Sequence, residues 1–103
     1  MIGRWALIGL LSVSSSAFAW QDVSKTATLP SGAVYCTSQG NLEDFAAFAL
    51  DGDEAGATRL VSQGKCTVLR SNMRVAVFQE NDDFANFLSP SGKALYTLKG
   101  YLR

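Results

Sequence analysis

The chain contains no histidine in 103 residues. That absence excludes Ser-His-Asp and Cys-His catalysis, imidazole metal sites and imidazole pH switching. Nine Lys/Arg balance nine Asp/Glu. No block of like charges is long enough for a nucleic-acid arm or a membrane-binding tract. There is no internal repeat and no low-complexity segment. The longest apolar run, Trp5 to Val13, is too short to span a bilayer.

What is present begins with the first nineteen residues. Arg4 gives a short positive start, the run from Trp5 an apolar core, and Ser14 to Ser16 a break. Ala17-Phe18-Ala19 supplies the small residues a signal peptidase requires. The expectation is a secretory signal peptide over residues 1–19, cut after Ala19. That leaves one domain over 20–103 with no transmembrane anchor, and the localisation implied is periplasmic.

An 84-residue remainder buries a limited share of its surface, so a staple is expected. Cys36 and Cys66 are the only thiols, and an exported chain most simply joins such a pair in one disulfide. Neither stands at the cleavage point, which argues against a lipoprotein. Charge is uneven: residues 20–54 carry six acids and one base, residues 55–103 seven bases and three acids.

Trp20 to Leu29 is polar and reads as a loose arm. Pro30-Ser31-Gly32 signals a turn. Ala33 to Cys36 is an apolar strand or lead-in. Asn41 suits an N-cap, with Glu43 and Asp44 in a first turn and Leu42, Phe45 and Ala49 on one face. Asp51-Gly52 ends that helix. Asp53 caps a second one, carrying Ala57, Leu60 and Val61 and stopping at Gly64. Gly56 is an odd residue for its interior. Cys66 and Val68, then Val75 and Val77, alternate on either side of Ser71-Asn72, as in two antiparallel strands and a turn. Phe84 to Leu88 and Lys93 to Leu98 flank a second hairpin turn, Ser89 to Gly92. Tyr101-Leu102 reads as a closing strand.

From Lys65 onward this pattern resembles a bacterial SH3-like barrel. The resemblance rests on Cys66-Thr67-Val68-Leu69, Val75-Ala76-Val77-Phe78, Ser91-Gly92-Lys93 and Tyr101-Leu102. It departs from that family at Leu95-Tyr96, where a Trp-Val pair is usual, and in the helical hairpin in front. The resemblance implies binding of peptides or cell-wall components. The fold expected is therefore α+β: an N-terminal helical hairpin packed on a small, strongly bent antiparallel SH3-like sheet.

Three spacings touch on chemistry. Ser62-Gln63-Gly64-Lys65 has the S-x-x-K spacing of penicillin-binding enzymes, without the partner motifs. Asp51, Asp53 and Gly56 occupy calcium-loop positions, but Ala55 and Ser62 stand where ligands are needed. Ser91-Gly92-Lys93 lacks the remainder of a phosphate loop. A helix end, helix caps and a hairpin turn explain all three. The carboxylate pairs Glu43/Asp44, Asp53/Glu54 and Asp82/Asp83 are adjacent in sequence and so point apart. No catalytic residue, cofactor or metal site is expected, and no enzyme.

Nine aromatic residues remain after Ala19, and those with no room in the core would form a patch for a partner. The expected role is a non-catalytic binding module for an envelope or periplasmic protein. An inhibitor, an immunity protein, or a phage or plasmid (superinfection) exclusion factor would fit. The alternative is a structural accessory subunit of an envelope or secretion assembly. The expected partner surface is Phe78, Tyr96, Arg70 and Arg74, facing an acidic partner.

Overall fold

The computed structural model describes residues 20–103. The expected signal peptide, 1–19, lies outside the described residues. The supposed loose arm is the longest strand described, β1 (Gln21–Leu29). It pairs antiparallel with β4 (Met73–Glu80). Its polarity follows from its place as an edge strand: Leu29 is buried and Ala27 packs beside it, while Ser24, Lys25 and Thr26 face water. Gly32, in the turn that follows, has φ +90°, which glycine adopts without strain.

Next come β2 (Val34–Cys36), the helices α1 (Gln39–Asp51) and α2 (Glu54–Ser62), and β3 (Cys66–Val68). The hairpin β5 (Phe84–Leu88) and β6 (Ala94–Leu98) follows β4. The sheet order is β1-β4-β5-β6-β2-β3, antiparallel throughout. The expected order of elements is thus corrected. The helical hairpin does not lead the domain; two strands' worth of chain precede it, and it is inserted between the paired neighbours β2 and β3. A second correction concerns β3, which pairs with β2 and not with β4. A last 3₁₀ turn, Lys99–Tyr101, brings Arg103 back to β1. There the backbones of Thr28 and Arg103 exchange two hydrogen bonds of 2.9 Å.

Local chemistry fixes the helices. The N-cap of α1 is Ser38, not Asn41: the Ser38 hydroxyl accepts from the Asn41 amide at 3.1 Å, and Asn41 sits one turn inside. Asp53 caps α2 as expected, accepting from the Gly56 amide at 2.9 Å. Both helices end in Schellman motifs. Gly52 and Gly64 sit at φ +71° and +74°, and the next amides, of Asp53 and Lys65, reach back to the Phe48 and Leu60 carbonyls. Gly56 has a packing reason: a Cβ there would stand 2.6 Å from the Phe48 ring.

Strand alternation sorts the apolar side chains into two cores. Leu29, Ala33, Val75, Val77, Ala85, Phe87 and Leu95 form the first, where the Tyr35 ring meets Phe87 edge-on at 6.1 Å. Val34, Cys36, Leu42, Leu60 and Cys66 form the second, with Phe84, Tyr96 and Leu98 packed under the helices. Phe84 and Phe87 therefore serve opposite faces, as their parity predicts. Cys36 and Cys66 are directly opposite one another in β2 and β3, buried and disulfide-bonded. The bond closes the base of the segment that holds both helices.

Candidate binding surfaces

The two helices cover the β6-β2-β3 end of their side of the sheet. Over β1, β4 and the Leu88 end of β5 the same side is not covered by the helices, while Phe84 and Asn86 of β5 are covered. The centre of the uncovered part is a bulge. Val77 faces Phe87 and Gln79 faces Asn86, so Phe78 is an extra residue in β4. On β1 the register also slips between Asp22 and Lys25. With Val75 and Val77 inward, alternation alone puts Phe78 on the open side with Arg74 and Ala76, and the bulge turns Gln79 to that side as well. Here Phe78 joins Thr26, Ala76 and Leu88 around a shallow depression of about 270 Å³. A second depression of about 320 Å³ shares Thr26, Ala76 and Leu88 and extends to Arg74 and Pro90. Leu88 is 38 % exposed. Ser24 and Lys25 also line the first depression, so the result is an apolar strip broken by Thr26, with Lys25 towards one end and Arg74 towards the other.

Of the four residues expected at the partner surface, Phe78 and Arg74 line this strip. Tyr96 is on the same side of the sheet but half-buried towards the helices. Trp20 meets it edge-on, with ring centres 6.0 Å apart, and the Trp20 indole donates to Gln39 Oε1 at 3.2 Å. Arg70 is away from the strip, exposed in the β3–β4 connection, where its carbonyl accepts from the Ser31 hydroxyl at 3.1 Å.

Two residues of this face escape the sequence reading, Leu88 and Asn86. Asn86 stands between Gln79 and Tyr96 in the register and is 7 % exposed. Its Oδ1 has no hydrogen-bond partner among the described residues. A buried, unpaired acceptor costs stability. A polar residue within the alternating run Phe84 to Leu88 is the one sequence signal for it.

Several charged and polar groups serve structure, Lys25 of the first depression among them. Glu80, nearly covered, contacts Lys25 Nζ at 3.0 Å and Lys99 Nζ at 3.3 Å. The Lys25 ammonium, and to a lesser degree that of Lys99, holds the Glu80 carboxyl below its usual range against the opposing effect of burial. The Ser62 hydroxyl bonds back to the Arg59 carbonyl at 3.1 Å, a helix-end role. Ser91 shares a 2.8 Å hydrogen bond with Ser89 in the hairpin turn. Among the described residues no cluster of Cys, Asp and Glu could hold a metal ion. No protein-family model, curated protein or solved structure matches the chain.

Proposed function

We propose that the protein is an exported, non-catalytic binding module that grips an envelope or periplasmic protein with the open face of its sheet. The carrying observation is the strip of Phe78, Ala76, Leu88 and Thr26 ending at Arg74. An exposed apolar strip flanked by an arginine has the make-up of an interface hot spot. Trp20 and Tyr96, both half-buried against each other, stand on the same side of the sheet. Arg74 gives it positive charge, which favours an acidic partner and faster association at low salt. Inhibitors, immunity proteins and exclusion factors work by such one-to-one occlusion, with no chemistry of their own.

The test is capture of a partner from periplasmic extract on the tagged, exported protein. Phe78→Ala, Leu88→Ala and Arg74→Ala should each weaken capture while leaving the circular dichroism spectrum unchanged. Equal capture by all three would move the partner surface elsewhere.

A further inference from the structure

The sheet has two edges, and they are treated differently. The β1 edge is blunted by a bulge, by Asp22 and Lys25, and by the terminal pairing of Arg103 with Thr28. The β3 edge carries no bulge and no terminal pairing, and only its length of three residues and the neighbouring Lys65 and Arg70 limit it. Its ladder to β2 is made by alternate residues: Thr37 N–H donates to the Lys65 carbonyl, and Leu69 N–H to the Ala33 carbonyl. By the same alternation Thr67 faces Tyr35, and the backbone groups of Cys66 and Val68 face outward. Among the described residues no strand pairs with that side.

Beside this edge lies an apolar groove of about 340 Å³. Phe45 from α1, Ala57 and Val61 from α2, and Val68 from β3 line it, with Glu54 at its rim. Val68 is 45 % exposed. A second hollow shares Glu54 and Ala57 and continues to Phe48, Ala49 and Asp53. Leu50, just beyond, is 87 % exposed. From Gln39 to Ser62 the helices carry five acids, Glu43, Asp44, Asp51, Asp53 and Glu54, against the single base Arg59. Of these acids Glu54 lines the groove and Asp53 the hollow that continues it, while Lys65 and Arg70 stand at the two ends of β3.

We infer that the free edge of β3 and the acid-rimmed groove beside it receive an extended segment of a partner protein, carrying alternate apolar side chains and lysine or arginine, as a seventh strand. Main-chain hydrogen bonds to Cys66 and Val68 supply the pairing. Every second side chain of the added strand falls on the helix side, where the pocket of Phe45, Ala57 and Val61 takes an aliphatic group. The basic side chains meet Glu54 and Asp53. This surface is separate from the open sheet face, so the two can be occupied by different parts of one partner.

The experiment titrates ¹⁵N-labelled protein, exported and purified from periplasm, with the synthetic peptide Lys-Thr-Val-Lys-Val-Thr-Lys. Two control peptides carry Glu for Lys, or N-methyl groups on alternate residues. Expected are saturable amide shifts at Val68, Val61, Ala57 and Glu54, with affinity at least tenfold weaker for both controls. Val68→Asp, a change at an exposed position, should weaken binding at least tenfold with the remaining spectrum intact. Equal binding of the N-methylated peptide would overturn the inference, as would no saturable binding at millimolar peptide. Shifts confined to Phe78, Leu88 and Tyr96 would overturn it in favour of the open face. Concentration-dependent dimerisation through Val68 without peptide would replace the partner segment by a second copy.

Discussion

Gly56→Ala sets two effects of known size against each other. Alanine in a helix interior is favoured over glycine by about 0.8–1.0 kcal/mol. Against this, the added methyl group would stand 2.6 to 2.8 Å from three atoms of the Phe48 ring. Phe48 is partly buried against the second core, and its ring must shift away from α2 to admit the methyl group. Overpacking of this kind costs about 1–3 kcal/mol. The steric effect wins, and the variant should lose about 1 kcal/mol, or roughly 4–8 °C in Tm for a domain of this size. Urea unfolding of the oxidised protein measures it, as a lower midpoint at unchanged slope. In a Phe48→Ala background the same change should reverse sign and stabilise by up to about 1 kcal/mol, because only the helix preference remains. A stabilising Gly56→Ala in the parent would refute the close helix contact.

Replacing both Cys36 and Cys66 by alanine removes closure of a 30-residue separation, and loop-closure entropy puts the loss at about 3.6 kcal/mol; denaturant unfolding with and without the bond measures it. Glu80 has a native pKa below its usual 4.5, so the unfolded chain binds the proton more readily. The stability Glu80 contributes is therefore complete above that value and is lost as the pH falls through the native one. Glu80→Gln should cost about 1 kcal/mol or less at pH 7 and should flatten the acid limb of a stability–pH curve, since the lysines that pair with Glu80 are half-exposed. Intact mass of the exported protein should correspond to a chain beginning at Trp20; the full-length mass in the membrane fraction would mean an uncleaved anchor.

Signals that act within a few residues are the ones the sequence displays openly. Asp53 and Gly64 mark the ends of α2 because a cap and a Schellman turn are made locally. The β5–β6 hairpin is legible for the same reason, with Ser89 to Gly92 forming its turn. β1 is not legible, because its partner β4 lies about fifty residues away and only one face of the strand meets the core. The pairing of β3 with β2 is hidden in the same way, since both helices intervene. At the surface, Phe78 and Arg74 stand out by residue type. Leu88 matters only because β1 and β4 lie beside it uncovered, and the groove of Phe45, Val61 and Val68 takes one wall from each of three elements.

The disulfide sits at the neck of the helical insertion, and this has an evolutionary consequence. A segment joined to its host through two adjacent, covalently tied strands can change length and sequence while its entry and exit points stay fixed. The bond keeps β2 and β3 tied whatever the outer faces of α1 and α2 carry, while Leu42 and Leu60 are bound to the core they complete. Helices with different outward-facing residues can be carried on one sheet so long as the inward positions of Leu42 and Leu60 stay apolar.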